Sequence, residues 1–272
     1  MTFRNIDMNY KTLLSHSSSL KEHFHNGYEI IFIEKGKSKF TIEDNLYEYE
    51  KNTILFLNHL EEHKMDLLEI PYSRYIIIVD DNYLDNYLGN HKLLSVFKNR
   101  ASKYRPGFKI NEEDVDYVMK VLDSLNDIFI GKKELWEIEF ISLFASFMVF
   151  LYRNYTSCFP HRSIDDKSKR ILDIQQYIDR YFKDNLTLES VADRFFISKY
   201  YLAHSFKDIT GFTFKQYILL KRIAHAKNQL YFTDKSITDI AIESGFNSQS
   251  NFIRIFKKKE GITPLQFRKI YR

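Results

Sequence analysis

Short runs of hydrophobic residues, separated by polar turn residues, dominate the first third of the chain. The runs over 28–33, 39–42, 53–57 and 75–79 are rich in Ile, Phe, Tyr and Val. Side chains of this kind pack well on a pleated surface, so each run is expected to form a β-strand. The polar segment 34–37 between the first two runs is expected to form a turn. The spacing predicts a small antiparallel barrel or sandwich.

The hydrophobic spacing becomes helical from about residue 82 onward. Apolar residues then recur every three or four positions, which predicts helices over 112–126 and 133–153. At the start of the first of these helices, Asn111 and Asp114 resemble a capping pair. Residues 156–168 are polar, contain a proline and lack a period, so they are expected to link two domains.

These patterns divide the chain into an N-terminal domain, residues 1–155, and a C-terminal domain, residues 169–272. The N-terminal domain combines a β-barrel with flanking helices, and the C-terminal domain is helical throughout. The predicted fold class is therefore α+β, with two domains.

The C-terminal domain contains an internal repeat. Residues 198–217 match residues 248–267 at a constant offset of 50, and the segments upstream match at an offset of 49. Each copy is expected to form a short helix, a tight turn and a longer second helix. Serine stands at the expected N-cap of both second helices, and glycine stands at the expected C-cap of both. This arrangement predicts two helix-turn-helix units.

The second helix of each unit has an apolar face and a polar, basic face. Leu202 and Phe206 are spaced four residues apart, as are Phe252 and Phe256, so these side chains are expected to point inward. The opposite faces carry the polar and cationic side chains that a recognition helix needs for bases and phosphates. The residues expected to contact DNA are Ser198, Lys199, Tyr200, Ala203, His204, Lys207, Ser248, Gln249, Ser250, Asn251, Arg254, Lys257 and Lys258.

Charge is distributed unevenly between the two domains. Residues 161–272 hold 21 of the 40 Lys and Arg but only 12 of the 36 Asp and Glu, so their net charge is +9 and that of the rest is −5. A basic domain beside an acidic one is expected when only one of them meets a polyanion. The alternative is that two similar helical hairpins form a packing module with solvated charges. Two capped copies with basic outer faces favour DNA.

Five segments of the C-terminal domain, YLAHSFK, TGFTFKQY, KRIAHAKNQL, SITDIAIESGFNSQSNFIRIFKK and GITPLQFR, resemble the AraC/XylS family of bacterial transcription regulators. The resemblance implies a seven-helix DNA-binding domain that activates or represses promoters. It places base contacts at Tyr200, Ala203, His204, Ser250 and Arg254. Ala203 is too short to bond to a base, so the first copy is expected to read fewer bases directly. Arg222 is expected to be a structural ion-pair partner.

A histidine pattern in the N-terminal domain resembles the first motif of cupins. His23, His25 and Glu29, followed by His63, stand where metal cupins hold a divalent ion. The flanking residues depart from that motif, since no glycine precedes His23 at the expected distance and the later Pro-Gly pair is missing. The alternative is that these histidines form hydrogen bonds within the barrel.

AraC-like sensor domains resemble cupins that hold an organic effector without a metal. The N-terminal domain is therefore expected to be a cupin-like barrel that binds a sugar or another small metabolite, with no metal or cofactor. The aromatic residues of such a pocket are also compatible with an ordinary core. The residues expected to contact the effector are His23, Phe24, His25, Tyr28, Glu29, Ile31, Phe56 and His63.

Two further features concern assembly and location. The predicted helices over 112–126 and 134–153 are expected to supply a homodimer contact. The alternative is that the apolar stripe of the second helix packs only on its own barrel. The longest apolar run, over 140–152, has 13 residues, whereas a membrane span needs roughly 20. The single cysteine, Cys158, and the lack of an apolar signal-peptide core predict a cytoplasmic protein. The stripe consists of Trp136, Phe140, Phe144, Phe147 and Leu151.

The function predicted from the sequence is a DNA-binding transcription regulator controlled by a small molecule in the N-terminal barrel, and not an enzyme. The expected partners are double-stranded DNA, the effector, a second copy of the chain and, for an activator, RNA polymerase. No membrane contact is expected. The first rival is a metal-dependent cupin enzyme with an accessory helical domain, and the second is a helical protein-interaction module.

Overall fold

The computed structural model describes residues 6–15, 20–24, 27–42, 45–89, 92–97, 104–160 and 166–271. The chain divides into two compact units. The N-terminal unit comprises residues 4–162, and the C-terminal unit comprises residues 163–272. Two sequence predictions, the effector residue His25 and the part of the linker over 161–165, lie outside the described residues.

The N-terminal unit is built on an antiparallel sheet in the strand order β1-β6-β3-β5-β7, with β2 added to β6 and β4 added to β3. Helices flank the sheet, so the predicted α+β class with two domains is confirmed. The strands are β1 (Ile6–Leu13), β2 (Leu20–His23), β3 (Tyr28–Ile42), β4 (Asn45–Glu50), β5 (Thr53–Leu57), β6 (His63–Val79) and β7 (Gly107–Lys109). The helices are α1 (Asp81–Leu88), α2 (Glu112–Gly131) and α3 (Trp136–Asn154).

The two longest strands, β3 and β6, pair with each other along almost their whole length. The first half of β3 also pairs with β5, whereas its second half pairs with β4. The turn predicted over 34–37 is wrong, because β3 continues through this segment with an irregular register. Gly36 lies in the bend with φ +82°, and a Cβ there would be 2.8 Å from the carbonyl oxygens of Glu69 and Pro71. Only glycine fits such a position without strain.

The two faces of the sheet carry two separate hydrophobic clusters, because successive side chains of a strand point to opposite faces. The first cluster, which we call the inner core, contains Ile31, Ile33, Phe40, Met65, Tyr72 and Ile76 among others. The second, which we call the helix-facing core, lies between the sheet and α2 and α3 and contains Ile30, Phe32, Phe56 and Ile77 among others.

The apolar stripe of α3 belongs to the helix-facing core. Phe140, Phe144, Phe147 and Leu151 have no exposed surface in a single chain, and Trp136 is half-buried. The stripe therefore packs on the chain's own sheet, which was one of its two interpretations, and it is not available for a subunit contact. Among the described residues, no helix is both long and apolar enough to cross a membrane.

The start of α2 is capped differently from the prediction. The Asn111 side chain makes no capping hydrogen bond. Instead, the Tyr155 hydroxyl accepts a hydrogen bond from the Asn111 N–H at 3.0 Å and donates one to the Asp114 carboxylate at 2.6 Å. Because Tyr155 directly follows α3, this bond network ties the end of α3 to the beginning of α2.

Seven helices follow one another within residues 166–271, as the family resemblance implies. They are α4 (Asp166–Tyr181), α5 (Leu188–Arg194), α6 (Lys199–Thr210), α7 (Phe214–Phe232), α8 (Ile237–Glu243), α9 (Gln249–Glu260) and α10 (Pro264–Tyr271). The two helix-turn-helix units are α5–α6 and α8–α9, and α7 connects them. Ile171, Ile174 and Ile178 of α4 are fully buried, together with Ile223 and Leu230 of α7.

The same two kinds of hydrogen bond, a glutamine cap and an arginine bonded to backbone carbonyl oxygens, occur in both units. Gln216 and Gln266 each bond to the backbone of the threonine three residues earlier and so form matching caps at the starts of α7 and α10. Arg222 donates to the carbonyl oxygens of Phe182 and Asp184, both at 2.8 Å, just beyond α4. Arg268 makes corresponding bonds to the carbonyl oxygens of Leu230, in the last turn of α7, and of Lys235, in the segment between α7 and α8. Arg222 is thus structural, but it bonds to backbone oxygens rather than to the predicted acidic side chain.

Gly245 lies in a tightly packed turn of the second unit, where an added side chain would clash. Its φ is +83°, and a Cβ there would lie 2.7 Å from the Lys183 carbonyl oxygen and 2.9 Å from Arg222 Nε. Gly261 has a similar φ of +75° but no atom within 4 Å of the added Cβ. We expect Gly261→Ala to lower the free energy of unfolding by about 1–2 kcal/mol through backbone strain. Gly245→Ala should lower it by at least about 1 kcal/mol more through overpacking. Urea unfolding of both variants tests this, and equal losses would contradict it.

Candidate nucleic-acid interface and ligand site

The first helix-turn-helix unit is fixed by caps at both of its helices. Thr187 and Ser190 form a reciprocal capping box at the start of α5, with hydrogen bonds of 3.0 and 3.1 Å. Ser198 caps α6 by accepting a hydrogen bond from the Tyr201 N–H at 3.1 Å. At the other end, Gly211 adopts φ +79° and donates to the Lys207 carbonyl oxygen. These caps satisfy backbone groups that helix ends leave without partners.

The turn of the first unit contains a feature that the sequence analysis missed. Phe196 adopts the left-handed region with φ +53°, and its side chain is 94% exposed. At the upstream offset of 49 residues, Phe196 corresponds to Gly245, the glycine in the turn of the second unit. A phenylalanine is costly in this backbone region. The offset alone was enough to find this position, because it aligns Phe196 with a residue that a tight turn requires.

The second unit repeats this geometry. Ser236 caps α8 through the Asp239 N–H at 3.1 Å, and Ser248 caps α9 through the Asn251 N–H at 3.3 Å. His225 of α7 supports α8, since its Nδ1 lies 2.9 Å from the Ser244 hydroxyl. Burial, aided by neighbouring lysines, lowers the pKa of His225 to about 3, so this histidine is a neutral structural contact at pH 7.

The predicted inward and outward faces of α6 and α9 are both observed. Leu202, Phe206, Phe252 and Phe256 have no exposed surface. Among the residues expected to contact DNA, only Asn251 is half-buried. The exposed ones are Ser198, Lys199, Tyr200, Ala203, His204, Lys207, Ser248, Gln249, Ser250, Arg254, Lys257 and Lys258. The folded units thus present these side chains on two capped helices.

Asn251 and Arg254 form a pair on α9. The Asn251 amide oxygen accepts a hydrogen bond of 2.9 Å from Nη2 of Arg254. The pair is three residues apart on one helix, so the asparagine orients the exposed guanidinium. On α6, Lys199 lies 3.6 Å from Glu189 and 5.6 Å from the centre of the Tyr200 ring. These contacts place the Lys199 ammonium group beside both Glu189 and the Tyr200 ring.

A buried polar cluster occupies the inner core of the N-terminal unit. His63 Nε2 lies 3.1 Å from Glu29 Oε2, and His63 Nδ1 donates to the Glu61 carbonyl oxygen at 3.0 Å. His23, the cross-strand neighbour of His63, places its ring centre 4.4 Å from that of His63. Burial alone would lower the pKa of His63, but the Glu29 carboxylate and the hydrogen bonds outweigh it and raise this pKa above its ordinary value. His63 Nδ1 is therefore engaged in a hydrogen bond, and His63 Nε2 faces the Glu29 carboxylate at ion-pair distance.

The structure does not bring the predicted effector residues into one place. Glu29 and Ile31 point into the inner core, where His63 and the half-buried His23 also lie. Tyr28 and Phe56 belong instead to the helix-facing core, since they stand at alternate positions along their strands. Phe24 is buried and His25 lies outside the described residues. Tyr28 and Phe56 therefore lie on the opposite face of the sheet from Glu29 and Ile31.

Three buried polar residues of the inner core were missed by the sequence analysis. Ser38 donates to the Tyr72 hydroxyl at 3.1 Å, and Arg74 lies 5.8 Å from the centre of the Tyr72 ring. Each is at most 4% exposed. The alternation of side chains along β6 could have revealed Arg74. Arg74 stands two residues from both Tyr72 and Ile76, so its side chain points to the same inner face.

Both units match models of known domain families. Residues 14–125 match the AraC-like ligand binding domain, and residues 191–270 match a helix-turn-helix domain. The chain belongs to the AraC family of transcription regulators. AraC-family membership agrees with the domain order and with the resemblance found in the C-terminal segments.

Two sequence relatives illustrate this AraC-family membership. The chain is 26% identical over 249 residues to an uncharacterised HTH-type transcriptional regulator of Staphylococcus aureus; the match covers 89% of this chain and 31% of that protein. It thus spans about a third of the length of that relative. It is 24% identical over 248 residues to the HTH-type transcriptional activator RhaS of Mannheimia succiniciproducens, covering 91% of this chain and 88% of RhaS.

The AraC-family fold is shared with a solved structure over the whole chain. ToxT of Vibrio cholerae superposes with a TM-score of 0.65 at 17% sequence identity, and the match covers 98% of each chain. The predicted architecture, a cupin-like sheet domain followed by a helical domain with two helix-turn-helix units, is confirmed as an AraC-family fold.

The raised pKa of His63 predicts a specific dependence of stability on pH. A histidine whose pKa is higher in the folded state contributes stability below its ordinary pKa of 6.5 and loses it as the pH rises through the folded value. We therefore expect the Tm advantage of the wild type over His63→Gln to be larger at about pH 6 than at about pH 9. Thermal unfolding at the two pH values tests this. His225 is present in both proteins and cancels in the difference, so a constant or growing advantage would contradict the assignment.

Proposed function

We propose that this chain is a sequence-specific transcription regulator that binds double-stranded DNA through α6 and α9 and responds to a small molecule held by its N-terminal unit. The observation that carries the proposal is the exposed basic face of α9, on which Asn251 orients Arg254 at 2.9 Å. An exposed, oriented guanidinium near the start of a recognition helix suits bidentate bonding to guanine O6 and N7.

The helix between the two units supports the binding of two successive grooves. The α7 helix has 19 residues, so it is roughly 28 Å long. Successive major-groove faces of B-DNA are roughly 34 Å apart. One chain therefore has a connector of suitable length to place two recognition helices on one side of a duplex.

The roles within the two helices follow from their chemistry. Arg254 and Ser250 would contact bases from α9, and Tyr200 and His204 would contact bases or thymine methyl groups from α6. Ala203 is too short for a hydrogen bond to a base, so α6 reads fewer positions. The phosphates would be bound by Lys199, Lys207, Lys257 and Lys258, together with the hydroxyl and amide groups of Ser198, Ser248 and Gln249.

The sensing role is assigned to the N-terminal unit, with a proposed domain extent of residues 1–155 and a linker over 156–168. A solved structure of ToxT contains an unsaturated fatty acid. By analogy, an organic ligand in the inner core here would favour one conformational state of the chain over another. The proposed partners are DNA and the effector, a second copy of the chain as a homodimer, and RNA polymerase if the output is activation. A regulator of this kind acts in the cytoplasm by binding rather than by catalysis.

The DNA-binding proposal predicts different effects for two neighbouring cations of α9. Fluorescence titration of a duplex selected for tight binding, and of a scrambled duplex, measures affinity and discrimination at two salt concentrations. Arg254→Ala should lose about 1–3 kcal/mol of discrimination between the duplexes. Lys257→Ala should weaken both complexes equally and reduce the slope of log K against log salt by about 1.

Asn251→Ala, measured in the same assay, tests whether the orientation of the Arg254 guanidinium matters in addition to its contact with the base. Because the guanidinium remains but loses its partner, we expect a smaller loss of discrimination than for Arg254→Ala. Discrimination that is indifferent to Arg254, or equal losses for Arg254→Ala and Lys257→Ala, would overturn the base-reading role of α9.

A further inference from the structure

A positively charged side chain is buried in the inner core of the N-terminal unit. Arg74 is only 4% exposed. It stands opposite Ile33 on the neighbouring strand, and the alternation along β6 directs it to the same side as Tyr72 and Ile76. The guanidinium reaches Met65, which also lies in the inner core.

Among the described residues, the Arg74 guanidinium has only weak interaction partners. Nη1 of Arg74 donates to the thioether sulfur of Met65, and the group lies 5.8 Å from the centre of the Tyr72 ring. Nε of Arg74 is buried and makes no hydrogen bond to any described residue. Among the residues that the structure describes, no carboxylate lies within ion-pair distance of Arg74. A thioether is a weak acceptor, whereas a guanidinium has five N–H donors.

The Glu29 carboxylate of the inner core is in direct contact with His63 rather than with Arg74. Glu29 already lies 3.1 Å from His63, and the two form a pair of opposite charge when His63 is protonated. Burying an uncompensated charge is strongly unfavourable, and buried charges in proteins are ordinarily paired. Among the residues that the structure describes, Arg74 thus has no carboxylate as a direct partner.

We propose that the N-terminal unit binds a small anion and that Arg74 pairs directly with the carboxylate or phosphate group of this ligand. The proposal rests on the proposed sensing function and specifies its ligand class. The planar guanidinium matches two oxygens of either group at once. The Tyr72 hydroxyl accepts a hydrogen bond from Ser38 and retains its own proton to donate to the ligand. Met65 is unbranched and flexible, so it can move aside when an oxygen replaces its sulfur.

The first test concerns the protein without ligand. If Arg74 awaits an anion, Arg74→Met removes an uncompensated buried charge at nearly constant volume and should raise the Tm of the full chain by on the order of 3 °C. Arg153→Met, which replaces an exposed arginine of α3, should leave the Tm nearly unchanged. A clear fall in Tm for Arg74→Met alone would show that Arg74 is a structural residue and would overturn the proposal.

The second test uses matched probes that differ only in charge. Hexanoate is compared with hexanamide, and glucose 6-phosphate with glucose, at equal ionic strength. We expect at least one anion, but not its neutral partner, to raise the Tm of the wild type by roughly 5–10 °C at a hundred times its Kd. This rise should be lost in Arg74→Met and kept in Arg153→Met. The pair that responds identifies the carboxylate or the phosphate as the group bound. If neither anion stabilises the wild type more than Arg74→Met, the proposal fails.

A third measurement distinguishes this proposal from the proposed function. The duplex titration is repeated with the full chain in the presence of the stabilising anion. Arg74-dependent stabilisation without any change in DNA affinity would support the anion site and refute its role as an effector site. A change in DNA affinity caused only by neutral probes would support small-molecule control and refute the role of Arg74.

Discussion

The positions of both recognition helices depend on arginine side chains that bond to the open ends of other helices. The last carbonyl groups of a helix have no partners within it. Arg222 donates to the Phe182 carbonyl oxygen directly after α4, and Arg268 donates to the Leu230 carbonyl oxygen in the last turn of α7. Each arginine lies on the helix that follows a recognition helix, so each fixes one helix-turn-helix unit to the helix before it. Two units built in this way on one shared helix, α7, form a single module.

The N-terminal unit follows a different principle. Its helix-facing core is closed by α2 and α3 and has the buried His59 ring beside Tyr28, whereas its inner core combines hydrophobic side chains with Glu29, His63 and Arg74. Buried polar groups of this kind cost stability unless they are paired. Glu29, His63 and Arg74 lie on the inner-core face, which is therefore the face that we propose to bind a ligand.

Local and repeated features of the fold could be predicted from the sequence. The helical period, the serine and glycine caps and the offset of 50 residues placed α6 and α9 correctly, because caps and amphipathic faces are properties of nearby residues. Features that depend on pairing between distant residues could not be predicted in this way. Gly36 bends β3 without ending it, and Tyr155 replaces the expected cap at Asn111 from 44 residues away. The predicted effector residues lie in two different cores, because the alternation along paired strands, rather than residue type, decides which core a side chain joins.

The central claim, that one chain reads DNA with two helix-turn-helix units, is tested most directly by hydroxyl-radical footprinting of the full chain on a tightly bound duplex. The account predicts two protected segments on one side of the duplex, about one helical turn or 10 base pairs apart. Arg254→Ala should weaken protection in the segment bound by α9 more than in the other. A single protected segment, or uniform protection that does not respond to Arg254, would contradict the account.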